Sequence, residues 1–223
     1  MPEALPDRLR QSWTANADAW TRAVREGAIA SRLAGTDAAV VEAVVRGLPP
    51  AGRVLDVGCG EGWLCRALAA LGAEPHGVDA SPPLVAAARA EGGSFDVVAY
   101  EAAAAEPARL GGPYDVAVFN FALLSDDVVG VLRAAASRLE AGGRLIVQTV
   151  HPATVAPPYE DGWRDESFDA FGEGFKPMPW FFRTFAGWTR ALRAAGLLLT
   201  EVAEPTDPES GAPLSLILAA EVS

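Results

Sequence analysis

Three glycines at alternate positions, Gly58, Gly60 and Gly62, break the run VLDVGCGEGW, and two acids stand near them in the chain: Asp56 just before, and Asp79 about 20 residues beyond the loop. Glycines so spaced let the backbone turn sharply and bring its N–H groups close to a bound molecule. A carboxylate in the place of Asp79, closing the short segment GVDA, accepts both hydroxyls of a ribose. The chemistry is that of a nucleoside-bearing ligand. A dinucleotide fingerprint requires glycine at the sixth position of G-x-G-x-x-G, where this chain has Trp63, which argues against NAD.

Other reactive side chains follow. His151, in TVHP, is one of two histidines and comes directly after an apolar run, which makes it either the candidate base or a turn histidine that orders the following segment through hydrogen bonds. His76 lies inside a run and reads as structural. Asn120 and Phe121 close the run YDVAVFNF. Residues 151–187 turn abruptly to Pro, Gly and aromatics, among them Tyr159, Trp163, Phe168, Phe171, Trp180, Phe181 and Phe182, with Arg164 and Arg183 interspersed. Such aromatics either close over a ligand or pack on one another, and Arg183 is a candidate partner for an anionic group. Trp13, Trp20 and Arg32 near the start pose the same choice between covering a pocket and building a core. Asp161 and Asp165 are isolated, so no metal is expected. Cys59 and Cys65 match neither a disulfide framework nor a zinc site and read as reduced.

These residues need elements to position them. Two or three helices are expected between Leu9 and about Leu48, with Asp37 as a cap. Apolar runs at 53–57, 74–80, 94–100, 114–121 and 144–150 read as buried strands, alternating with helices at 63–72, 82–92 and 126–143, the last stopped by Gly142 and Gly143. A helix at 188–196 and strands at 197–205 and 213–222 complete the chain. Strand–helix alternation implies a largely parallel α/β sheet. The whole is expected to be one domain, 1–223, with an N-terminal helical cap over 1–50 and a lid inserted at 151–187.

Of the 223 residues, 18 are Lys or Arg and 29 are Asp or Glu, and no basic block occurs, so a nucleic-acid partner is not expected. No run approaches a membrane span, and the opening MPEALPDRLRQSWT is unlike a signal peptide. The expectation is a soluble cytoplasmic protein, monomer or homodimer, whose partner is a small molecule.

The run VLDVGCGEGW together with Asp79 resembles motif I and the ribose-binding acid of class I S-adenosylmethionine-dependent methyltransferases, and among them the small-molecule O-methyltransferases of the ubiquinone type. The likeness extends from Arg53 to Val222. It implies a Rossmann-like, doubly wound sheet of seven mostly parallel strands with the last antiparallel, S-adenosyl-L-methionine as cofactor, and transfer of its methyl to a small acceptor, with oxygen the expected atom. By position, Gly58 and Gly60 would line the methionine moiety and Asp56 would act through the loop or a water. Asp79, with Ala80 beside it, would hold the ribose, and Glu101 with Ala102 would lie near the adenine. Asn120 and Phe121 would flank the sulfonium, Trp20 and Arg32 would cover the cofactor, and Asn120 with His151 would serve catalysis. The family usually has Asp where Glu101 follows Tyr100, and Asn120-Phe121 is not the NPPY of amino-nitrogen methylases of nucleic acids and proteins. Two alternatives stay open: a cyclase or lyase that consumes the same cofactor, and a non-catalytic cofactor-binding module.

Overall fold

Short β-rich apolar runs separated by Ala-rich amphipathic stretches give a computed structural model in which helices cover both faces of a central sheet; it describes residues 4–222, so residues 1–3 of the opening segment and residue 223 lie outside the described residues. The sheet has seven strands in the order β3-β2-β1-β4-β5-β9-β8. These are β1 (Arg53–Val57), β2 (Glu74–Asp79), β3 (Ser94–Val97), β4 (Tyr114–Asn120), β5 (Leu139–Thr149), β8 (Leu197–Ala203) and β9 (Leu216–Val222). Two further strands, β6 (Gly162–Glu166) and β7 (Met178–Phe182), form a separate antiparallel hairpin.

Alternation builds two cores from the same strands. Leu55, Ala117, Phe119, Leu145, Val147 and Leu218 face one side, while Val54, Val116, Val118, Ile146 and Ile217 face the other. Because both faces are buried, the strands read as continuous apolar runs. Helices α6 (Tyr100–Ala105), α7 (Val129–Ala136) and α8 (Phe185–Ala194) pack on one side. On the other lie α3 (Asp37–Val45) and α4 (Trp63–Ala70). Helix α5 (Pro82–Ala90) covers the β2–β3 end together with Cys59 and Cys65, both free and buried. Strands β1 to β5 are parallel, and β9 runs antiparallel to both neighbours, as the resemblance implied. After β1 the chain winds outward through β2 and β3, then returns to lay β4 on the other side of β1. The carboxyl ends of β1 and β4 therefore flank a topological switch point, where open α/β sheets bind ligands.

Several expectations on elements are corrected. The third strand stops at Val97, and Tyr100, Glu101 and Ala102 open α6, which the sequence reading missed. Helix α7 ends at Ala136, and Gly142 and Gly143 lie within β5, because Leu139 already pairs with Tyr114 across a bulge. Asp37 caps nothing: it pairs with Arg32, within the kinked turn Arg32–Thr36, where Gly35 has φ +142°. The lid is not structureless, since β6 and β7 pair Trp163 with Phe181 and Arg164 with Trp180. Consecutive aromatics in PWFF hide the two-residue period. Helices α1 (Leu5–Ala15) and α2 (Ala17–Arg25) form the cap ahead of α3. Among the described residues no helix is long and apolar enough to cross a membrane.

Candidate functional site

The switch point carries a cavity of about 650 Å³, lined from three directions: the carboxyl ends of β1, β2 and β4, the cap, and the lid. Its floor is the glycine loop. The N–H groups of Gly58 and Cys59 both donate to the Val78 carbonyl, at 2.7 and 3.0 Å, which pins the loop to β2. A side chain on Gly58, at φ +79°, would sit 2.4 Å from Ala122 Cβ and 2.8 Å from Tyr100 Oη. Gly60 differs: at φ +55° it has nothing nearer to a notional Cβ than Trp20 Nε1 at 4.0 Å, so its backbone opens on the cavity. One glycine is required by packing and the other leaves room for a ligand.

Asp79 holds this geometry. Its Oδ2 accepts from Gly60 N at 2.9 Å and its Oδ1 from Ser81 N at 2.8 Å. Burial raises its pKa, and the backbone donors at Ser81, Gly60 and Ala80 oppose that rise. Asp56 is 1 % exposed, and burial above all, with the charge of Asp79 adding to it, pushes its carboxyl up to about 7, against a hydrogen bond from Cys65. Asp56 Oδ1 has no hydrogen-bond partner, nor do Ser81 Oγ and Asn120 Oδ1, and all three residues line the cavity. Buried polar atoms left unpaired cost about 1–3 kcal/mol each, and three converging on one cavity mark a place built for a polar ligand. Ser81 escaped the sequence reading, though it directly follows Ala80, which also lines the cavity.

Asn120 and Phe121 end β4 opposite the loop. Phe121 takes φ +51°, a left-handed conformation that a bulky residue rarely adopts, and its N–H is tied to the Gln148 carbonyl at 2.8 Å. Tyr100 Oη donates to the Ala122 carbonyl at 3.1 Å, so the segment after β4 is fixed from both sides. Glu101 lines the cavity and pairs with Arg10 at 3.5 Å, whereas Ala102 lies outside the wall, because the helix that begins at Tyr100 turns it away.

Cap and lid close over the loop together. Trp20 meets Trp13, Phe168, Phe171 and Phe175 edge-on, with centroids 5.3 to 6.3 Å apart. Asn16, 1 % exposed, donates to the Lys176 carbonyl at 3.0 Å and accepts its N–H at 2.7 Å. Arg32 lines the cavity, but its guanidinium stacks 4.3 Å over Trp63 and its Nε bonds both oxygens of Asp37 at 2.9 Å.

Two residues take the structural of the two places that the sequence left open. His151 is buried beside the cavity but not in its wall: Nδ1 accepts the Ala153 N–H at 3.1 Å, which leaves Nε2 to donate to Glu204 at 2.8 Å. Neither nitrogen is free to take a proton from a ligand, so the geometry does not support a base there. Arg183 meets no anion. It lies buried between the rings of Phe181 and Trp188 and donates to the carbonyls of Leu123, Ser125 and Asp126. His76, as expected, is structural, bonded to Ser94 and stacked on Tyr114. Among the described residues, no group of three or more His, Cys, Asp or Glu is placed to hold a metal ion.

Known proteins share this fold. The chain is 40% identical over 125 residues to a ubiquinone biosynthesis O-methyltransferase of Xanthomonas axonopodis pv. citri, a match covering 52% of this chain and 51% of that one. The chain thus spans about half the length of the curated relatives it matches. Among solved structures, the magnesium protoporphyrin IX methyltransferase of Synechocystis PCC 6803 with bound S-adenosylmethionine superposes with a TM-score of 0.67 at 20% identity, covering 100% of both chains. An S-adenosylmethionine-dependent methyltransferase of Mesorhizobium loti gives 0.60 at 24% identity, covering 81% of this chain and 97% of that one. At such identities the likeness is one of fold. A family model described as a methyltransferase domain matches residues 29–202. The chain belongs to the methyltransferase-domain family and has the fold of its S-adenosylmethionine-dependent members.

Proposed function

We propose that the protein is a methyltransferase that takes S-adenosyl-L-methionine as cofactor and methylates a small-molecule acceptor, on oxygen, in the cytoplasm. The observation that carries this reading is that Asp56 Oδ1, Ser81 Oγ and Asn120 Oδ1, all unpaired, belong to residues that line one cavity with the open backbone of Gly60. Asp56 and Ser81 fit the cofactor, since acceptors suit ribose hydroxyls and an amino group. Gly58 and Gly60 would hold the methionine part, Asp79 with Ala80 and Ser81 the ribose, and Glu101 the adenine edge. Bound there, the cofactor supplies a methyl group on a sulfonium, already electrophilic. Two buried free thiols, Cys59 and Cys65, accord with a reducing compartment.

The protein's own contribution is positioning, which supplies roughly 7–11 kcal/mol in well-oriented reactions. Asn120 Oδ1 accepts the acceptor's O–H, which orients the oxygen lone pair into the cavity. The rigid segment Phe121–Ala122, fixed by Gln148 and Tyr100, keeps that amide in place. Trp20 and the lid aromatics exclude water. No base is assigned, since His151 is committed to Glu204 and Ala153.

Calorimetric titration with S-adenosylmethionine and S-adenosylhomocysteine, followed by mass spectrometry of cofactor incubated with and without phenolic acceptors, tests this. Binding of both ligands and a methyl gain in an added acceptor are expected. No binding of either would overturn the reading, and breakdown of cofactor without acceptor would replace it with an intramolecular reaction.

A further inference from the structure

The end of the cavity away from the glycine loop, roofed by the lid, is the space left for an acceptor. Three arginines and seven acids line the cavity, and of the acids Asp37, Glu61 and Glu101 are ion-paired while Asp56 is buried. Two of those arginines are matched by acids. Arg10 is bonded to Asp7 and Glu101. Arg32 is matched by Asp37. Arg164 has no acid partner among the described residues; its guanidinium donates to the carbonyls of Trp163, Pro158 and Glu160 and lies over the Phe182 ring. Strand β6 then puts Asp165 and Glu166, both exposed, into the same wall. Glu166 accepts only backbone N–H groups, from Ser167 and Phe168, and among the described residues no ion pair neutralises either acid.

We infer that the acceptor carries no carboxylate, phosphate or other anionic group. It is an uncharged or cationic molecule whose apolar body lies against the cap tryptophans and lid aromatics. An anion entering here gives up its hydration and meets two unpaired lid acids, against one arginine whose guanidinium is already turned onto backbone carbonyls. An uncharged ring loses nothing comparable and gains apolar contact with Trp13, Trp20, Phe168, Phe171 and Trp180, and a cation is attracted by aromatic rings as well. The lid acids thus act as a repulsive filter, which sets specificity as effectively as an attractive contact. The inference rests on the methyltransferase reading of the cavity.

The test uses the full chain saturated with S-adenosylhomocysteine, whose own titration is recorded first. para-Cresol and para-hydroxybenzoate, which share a phenol and differ by methyl against carboxylate, are then titrated near neutral pH. Cresol should bind at least about tenfold more tightly. The double variant Asp165→Asn, Glu166→Gln should narrow that gap by raising hydroxybenzoate affinity more than cresol affinity. Hydroxybenzoate binding equal to or tighter than cresol, or a gap unmoved by the double variant, overturns the inference while the cofactor reading stands. Failure of S-adenosylhomocysteine to bind overturns the cofactor reading, and the inference with it.

Discussion

Asp79 Oδ2 accepts the Gly60 N–H at 2.9 Å while its Oδ1 accepts that of Ser81 at 2.8 Å, so one carboxylate at the end of β2 shapes both the glycine loop and the entry to α5. Asn in its place offers a single acceptor and turns an amide donor toward the other N–H. Charge-assisted bonds of this kind are worth about 1.5–3 kcal/mol. Asp79→Asn should therefore weaken S-adenosylmethionine binding by at least about tenfold, read by calorimetry, with the far-ultraviolet circular dichroism unchanged.

Gly58 and Gly60 should separate folding from binding. Gly58→Ala forces a methyl to 2.4 Å from Ala122 and should cost about 3 kcal/mol or more of stability. Gly60→Ala meets open space, so its stability loss should stay near the roughly 1 kcal/mol of a left-handed alanine, while cofactor affinity falls because the methyl enters the cavity. Thermal melts and titrations of the two variants, run side by side, check the contrast; equal loss of stability in both would refute it.

Asp56 makes stability depend on pH. Its folded-state pKa, raised to about 7 by burial, lies above the ordinary value of 3.8, so the folded chain holds a proton that the unfolded chain releases. Stability conferred by that proton is complete below about pH 4 and is lost as pH rises through 7, at up to about 1.4 kcal/mol per pH unit. Asp56→Asn has no such proton to lose. Denaturant titrations of the two proteins between pH 5 and 8 should show the wild type falling relative to the variant.

His151→Gln should leave catalysis nearly intact. Loss of a general base costs about 10²–10⁴ in rate, whereas a residue that only anchors the start of the lid through Ala153 and Glu204 should show less than about a tenfold change in kcat, together with about 1–2 kcal/mol of stability. A kcat loss beyond a hundredfold with an altered pH profile would restore His151 as the base.

Asn16→Ala removes both bonds to the Lys176 backbone, which joins cap to lid. About 1–3 kcal/mol of stability should go with them, since the Lys176 N–H and carbonyl then lack partners. KM for the cofactor should rise more than kcat falls, because closure over Gly60 weakens while Asn120 and its supports are untouched; the opposite split would place the latch in the chemical step.

Much of this was legible beforehand because local physics fixes it. The run RVLDV announces a strand buried on both faces, and GCGEG cannot continue as helix or strand, so Asp56, Gly58, Gly60 and Asp79 could be assigned to one sheet edge. What was illegible depends on residues distant in the chain. His151 sits after a strand where a base would be useful, and only Glu204, 53 residues on, reveals how its ring is spent. Arg183 looks available until the carbonyls of Leu123, Ser125 and Asp126 fold under it. The short helix at Tyr100 was hidden because the apolar run of β3 continues into it, and the lid hairpin because both of its faces are aromatic. Ser81 offers no signal beyond its place after Asp79; only its unpaired Oγ distinguishes it.

The stem of the lid is built differently from its tip. At the stem, Phe181 N donates to the Leu124 carbonyl, Arg183 grips the same segment, and Asp161 ties Thr184 and Arg190. The tip, from Ser167 to Pro177, is bonded to the cap, through Asn16 to Lys176 and Arg22 to Glu173. A chain so divided can have its tip lengthened, shortened or recomposed while the bonds that hold the stem beside Asn120 are kept, so a different acceptor becomes accessible by exchanging one segment on a fixed socket.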